Sequence, residues 1–230
     1  MARAAPAQAV PPRTRRRDAD ATKSDILAAG RAEFADKGFG GARIDAIATR
    51  ANVNKRMLYH YFGDKDALYR AVLTEAYREI RAGEKALSLD CSEPVEAVER
   101  LVRFTFRHFL ENPWFIALLT NENLMRARYI KSMPEISGLH SPLVDQLRTL
   151  IERGAEKGLF RRDIDPVQLY ISIAALGYFY VSNCATLSVI FQTDLRARDR
   201  IATREDHCVQ MVLDHLLTRP APKEPTAKLS

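Results

Sequence analysis

The chain has 230 residues, 47% of them apolar and 28% charged, three cysteines and a formal charge of +6. That length buries a sizeable core, either in one two-part protein or in two small domains. Cys91, Cys184 and Cys208 are scattered without metal-ligand spacing, and a reduced, cytosolic compartment is the simplest account of them. Residues 1–65 hold 13 Lys and Arg against 7 Asp and Glu, whereas the remainder is balanced at 22 of each. A basic head on a neutral body is expected where only one end of a protein meets a polyanion, although a solvated charged face gives the same count.

Residues 1–23 carry Pro6, Pro11, Pro12, the cluster Arg13, Arg15, Arg16 and Arg17, and no aromatic residue. Such a segment cannot pack a core, and it reads as a disordered basic arm that tracks phosphates, enters a minor groove, or is an inert tail. No apolar run follows the arginines, so neither a secretory nor a twin-arginine export signal is expected, and no membrane partner.

From Ile44 to Phe62 the sequence IDAIATRANVNKRMLYHYF reads as two short helices with a sharp turn between them. Ile44, Ile47 and Ala48 set an apolar face at helical spacing, and Asn52-Val53-Asn54 interrupts it with residues that favour turns and N-caps. A second helix starts at Lys55, with Leu58 and Phe62 inward. The outward side is basic and aromatic, chemistry suited to a major groove flanked by phosphates. Arg43, Asn54, Lys55, Arg56, Met57, Tyr59, His60 and Lys65 are therefore the candidate DNA contacts. Periodicity alone leaves a pair of ordinary packed helices equally open.

The surrounding residues are more specific. Ile26-Leu27 with Ala29 and Phe34, Lys37-Gly38-Phe39, the helix pair, Leu58-Tyr59-His60-Tyr61-Phe62 and Asp64-Lys65-Asp66-Ala67-Leu68 resemble, in order, the N-terminal domain of the TetR family of bacterial regulators. The match runs from about Ser24 to Leu73. The resemblance implies a helix-turn-helix made by a second and a third helix, and a fourth helix leading to a ligand-binding body. Arg56 and Met57 stand where the family often has Gly and Thr, so base preference does not transfer.

Beyond the head every segment reads helical, giving an all-α fold of about nine helices. Lys65 to about Glu84 has an apolar stripe; Ser92 is placed to cap the next helix, which Asn112-Pro113 stops. Trp114 to about Arg128 follows, then Ser141-Pro142 opens a helix ending near Lys157-Gly158. Asp165-Pro166 opens an apolar helix to about Ile190, and Thr203 with Asp206 opens one ending near Leu217. The expected organisation is a basic arm (1–23), a helix-turn-helix domain (24–68), a helical effector-binding and dimerisation domain (69–218) and a disordered tail (219–230). The family resemblance implies that residues 166–190 and 203–217 pair with their copies in a homodimer. Leu169 to Val181 is apolar nearly all round, which demands burial on more than one side, in a dimer or within a monomer.

Trp114, Leu118 and Glu122 fall on one helical face, with Asn123 beside them and Phe104 and His108 on the preceding helix. Together with Tyr178 they are candidate effector contacts: aromatic walls with a carboxylate and an imidazole, suited to a small planar polar molecule. The alternative is Trp and Phe in the core with Glu122 and Asn123 in solvent. NENL and ALGYFYVSN are also similar to TetR-type regulators of pyrimidine-utilisation and nicotinate-responsive kinds. No phosphate loop, nucleophile elbow or paired-His metal motif appears, so no catalytic residue, metal site or cofactor is expected. A ligand-responsive, cytoplasmic repressor is the leading reading. A DNA-bound adaptor controlled by a protein partner and, more remotely, a helical enzyme using Glu122 and His108 are the others.

Overall fold

The computed structural model describes residues 12–218. Among them are nine α-helices and one 3-10 turn, and the extended pairing is a single antiparallel bridge between Phe160 and Leu217. The helices are α1 (Pro12–Gly41), α2 (Ile44–Arg50), α3 (Lys55–Phe62), α4 (Lys65–Ala86), α5 (Pro94–Glu111), α6 (Pro113–Leu124), α7 (Pro134–Glu156), α8 (Pro166–Ile190) and α9 (Arg198–Leu216), with the 3-10 turn at Ile130–Ser132. They form two compact units. One runs to Ala76 and adds Ala117–Pro134; the other comprises Tyr77–Ile116 and the chain from Glu135 onward.

Several expected boundaries move, each for a local reason. The helix α1 begins at Pro12, so residues 12–23 are helical rather than a disordered arm; proline in a first turn removes no helical hydrogen bond, and no other proline follows before Pro94. The rest of the expected arm, 1–11, and the expected tail, 219–230, lie outside the described residues. The expected cap Ser92 instead accepts a hydrogen bond from Arg100 Nη1, and α5 opens at Pro94. The helix from Trp114 stops at Leu124, not near Arg128, because Arg126 and Ala127 both take positive φ, 57° and 56°. The next helix starts at Pro134 and carries Pro142 in its interior, giving up one backbone bond there. Finally, α9 opens at Arg198: Thr203 lies inside it, its hydroxyl donating to Asp199 O, while Asp206 pairs with Arg103.

The N-terminal unit is built around Ile26, Phe34, Ile47, Leu58, Leu68, Tyr69 and Leu73, all essentially solvent-free. Its boundary at 68 does not hold, because the segment after α6 belongs to the same core. Tyr129 sits among Phe39 and Tyr69, with ring centroids 4.9 Å from each, and its hydroxyl donates to Asp66 at 2.8 Å. Burial and the Asp66 carboxylate push the Tyr129 pKa up to about 12, keeping the phenol a neutral donor. Gly38, at φ +65°, breaks α1; a Cβ there would stand 3.0 Å from Asn121 Oδ1.

In the second unit α5 is the central helix. Leu101, Phe106, Leu147, Leu150, Phe160, Ile173, Val212 and Leu216 form its core. Gly177 lets α8 approach closely, since a Cβ would meet Phe109 at 3.2 Å and the Phe106 backbone at 3.5 Å. Arg103 and Arg107 of α5 reach Asp206 and Glu205 of α9, each at 2.7 Å. The Glu205 carboxylate is nearly buried, so this pairing satisfies charge that would otherwise be costly.

Candidate nucleic-acid interface

The two short helices form by local rules. Ile47 and Ala48 bury the inner side of α2, and Asn52, at φ +52°, turns the chain while Val53 N–H returns to Ala48 O at 3.0 Å. Asn54 is the N-cap of α3, its Oδ1 accepting the Met57 N–H at 2.8 Å. Leu58 and Phe62 then point into the core. This leaves Asn54, Lys55, Arg56, Met57, Tyr59 and His60 exposed along one helix, and Arg43 exposed just before α2. Lys65 is half-buried, its ammonium 4.6 Å from the centre of the Phe39 ring.

The head is also braced by groups the sequence reading did not single out. Glu33, on α1 and nearly buried, accepts the Arg43 N–H at 3.2 Å and lies 3.9 Å from Arg50. Asp45 holds the Lys55 ammonium at 2.6 Å, tying α3 to α2. Both partners are exposed, so the tie is worth about 0–1 kcal/mol and releases easily to a phosphate. Neither contact has a sequence signature, because each depends on where the helices meet. Of the donors on the face, Arg56 has the planar fork able to meet guanine O6 and N7 together.

The residues expected to line an effector pocket divide between the units. Phe104, His108, Trp114 and Tyr178 are brought together in the second unit: His108 lies 5.7 Å from Phe104 and 5.3 Å from Phe115, Trp114 is 5.9 Å from Phe115, and Tyr178 is 6.5 Å from Phe109. Leu118, Glu122 and Asn123 belong to the N-terminal unit. Leu118 is core there, and Asn123 bonds back to Leu119 O. The Glu122 carboxylate is 1% exposed and accepts the N–H groups of Tyr129 and Ile130, both at 3.3 Å. Through Oε2 it fastens the turn after α6.

A polar cluster without a sequence signature lies in the second unit. Arg81 and Glu84 of α4 are buried, with Nη1 and Oε2 2.6 Å apart, and Arg81 Nη2 donates to the Tyr170 hydroxyl of α8 at 2.6 Å. Burial pushes the Glu84 carboxyl up to about 7 against the opposing pull of Arg81. His108 is pushed below the usual imidazole value by burial and then by the Arg81 charge.

A capped recognition-type helix with a basic, aromatic outer side, carried on an all-helical body, defines a helix-turn-helix DNA-binding regulator. Residues 26–72 match the model of bacterial regulatory proteins of the tetR family, and residues 94–212 that of the tetracyclin repressor-like C-terminal domain. The chain belongs to the TetR family, and it is a regulator rather than an enzyme. It is 39% identical over 181 residues to the HTH-type transcriptional repressor NicS of Pseudomonas putida, covering 79% of this chain and 85% of that one. To the HTH-type transcriptional regulator RutR of Escherichia coli it is 31% identical over 182 residues, covering 79% and 84%. In fold it is similar to a TetR family transcription regulator from Marinobacter aquaeolei, with TM-score 0.67 and 23% identity over 89% of this chain and all of that one.

Proposed function

We propose that this protein is a cytoplasmic homodimeric repressor that holds an operator through the outer face of α3 in each copy and is released by a small-molecule effector. The observation that carries this is the exposed row Lys55, Arg56, Met57, Tyr59 and His60 on a helix whose other side is locked into the core by Leu58 and Phe62. Arg43, Asn54 and Lys65 flank it as phosphate or edge contacts. The name of the Pseudomonas relative, a repressor, supports the sign of regulation.

Dimerisation is supported by the unit that carries α8 and α9. One side of α8 is core, through Leu169, Ile173, Tyr180 and Cys184; the other exposes Val167, Ile171 and Phe179, with Met211 of α9 exposed as well. An apolar surface of this kind is what a second copy covers, and two copies are needed to span paired half-sites. Phe104, His108, Trp114 and Tyr178 supply aromatic surface for an effector of planar aromatic or nitrogen-containing character. Effector and DNA favour different arrangements of the dimer, so each weakens the other through one coupling free energy.

The test is a mobility-shift titration on duplexes taken from upstream of its own coding region and of its neighbours, repeated over a metabolite panel. Salt-sensitive retention of one duplex, reversed by a subset of metabolites, is the expected result. Equal retention of every duplex, or ligands that only tighten binding, would contradict the reading.

A further inference from the structure

The segment between α6 and α7 joins the N-terminal unit, although in sequence it lies far beyond the helix pair. Its residues 125–133, MRARYIKSM, hold Arg126, Arg128 and Lys131 and no acid, and all three cations are exposed. The loop is held in one shape. Arg126 and Ala127 take successive positive φ, 57° and 56°, a conformation that non-glycine residues keep only where their surroundings fix it. Buried Glu122 Oε2 accepts the Tyr129 and Ile130 N–H groups, and the Lys131 N–H returns to Ala127 O at 3.1 Å. The buried Tyr129 ring against Phe39 and Tyr69 completes the anchoring.

The same ring fixes where the cations stand. Its hydroxyl donates to Asp66, the neighbour of Lys65 at the start of α4, and the Lys65 ammonium lies over the Phe39 ring that Tyr129 packs against. The guanidinium groups of Arg128 and of Arg70, which is exposed on α4, lie 5.5 Å and 5.6 Å from the centre of the Tyr129 ring. Such stacking orients a guanidinium without neutralising it. Among the described residues, Arg70, Arg126, Arg128 and Lys131 take part in no ion pair, whereas Arg50 and Lys55 of the helix pair do.

We propose that Arg70, Arg126, Arg128 and Lys131 form a second DNA-contacting surface, which grips phosphates flanking the stretch met by α3. The inference rests on the reading of α3 as the operator-binding helix, and it extends that contact to the DNA outside the half-site. Continuity with Lys65 selects the partner, because a duplex that runs past Lys65 goes on presenting phosphates to the same unit. Fixed, unpaired cations with no acid among them bind such a polyanion by displacing its counterions. Their contribution carries no base preference, so it depends on duplex length and salt rather than on flanking sequence.

The experiment measures binding of the full chain by fluorescence anisotropy over a salt series. Duplexes are cut from upstream of its own coding region at about 20 base pairs, room for two half-sites one turn apart, and at about 40, with random duplexes of both lengths in parallel. Arg126→Gln with Lys131→Gln leaves the Tyr129 stack intact and should keep the wild-type Tm. On the long operator duplex that variant should bind at least fivefold more weakly, with a salt slope shallower by about two, and on the short one less than twofold more weakly. Adding Arg128→Gln should deepen the loss on the long duplex; Arg128→Lys in its place should not, because a phosphate needs only the charge.

Unchanged binding of both lengths by the double and triple variants overturns the inference and leaves these cations to an acidic protein surface. Equal weakening on short and long duplexes overturns it too, since the contacts would then lie within the half-site. Sequence preference is read separately, from operator against random duplex at one length. A length-selective loss without any preferred duplex keeps the flanking surface and removes the operator reading. A preferred operator held equally by wild type and variants does the reverse.

Discussion

Arg56 carries more of the functional reading than any other side chain, because it combines exposure on α3 with a guanidinium able to meet guanine at two atoms. Arg56→Ala should cost about 1–3 kcal/mol on the preferred duplex and clearly less on random DNA, measured by fluorescence anisotropy at fixed salt. Equal losses on both would make Arg56 a phosphate contact. Glu84 governs a different observable. Its folded pKa is raised from 4.5 to about 7, so the folded state holds the proton more tightly than the unfolded chain. Stability is then fullest below about pH 4.5 and declines as pH rises to 7, by about 3 kcal/mol in all. Urea titrations of the wild type and Glu84→Gln from pH 5 to 8 should show a flatter profile in the variant. Parallel profiles would mean that Glu84 ionises as it does in the unfolded chain.

At the scale of elements, the helix-turn-helix was legible because everything that makes it is local: Ile47, Leu58 and Phe62 at helical spacing, a turn at Asn52 and a cap at Asn54 lie within sixteen residues. The same holds for α8, announced by Asp165-Pro166, where the carboxylate accepts the N–H groups of Val167 and Gln168. Contacts between distant segments were not legible. The Arg81–Tyr170 bond joins residues 89 apart, and the Tyr129–Asp66 bond residues 63 apart, so no pattern in the sequence marks either. Glu122 is a further case: its helical face matches Trp114 and Leu118, yet its Oε2 bonds to a turn that forms only where α6 ends. Glu122→Ala leaves two N–H groups without that acceptor and should destabilise the fold by about 1–3 kcal/mol in chemical denaturation. A loss confined to effector response, with stability intact, would return Glu122 to a ligand site.

For the whole molecule, DNA recognition and assembly stand or fall together, since one copy presents one α3. Ile171 and Phe179 are 51% and 58% exposed on the same helix, the surface assigned to a second copy in the proposed dimer. Replacing both with Asp should give a folded monomer by light scattering and abolish tight operator binding; a dimer that survives the double substitution would move the assembly surface elsewhere. The central claim, a symmetric pair of α3 helices reading DNA, is tested most directly by selecting bound duplexes from a random pool with the wild-type protein. The account predicts an inverted repeat whose half-sites lie about one helical turn apart, or a multiple of it, and whose enrichment is lost with Arg56→Ala. Enrichment of a single unrepeated site, or none above random DNA, would contradict it.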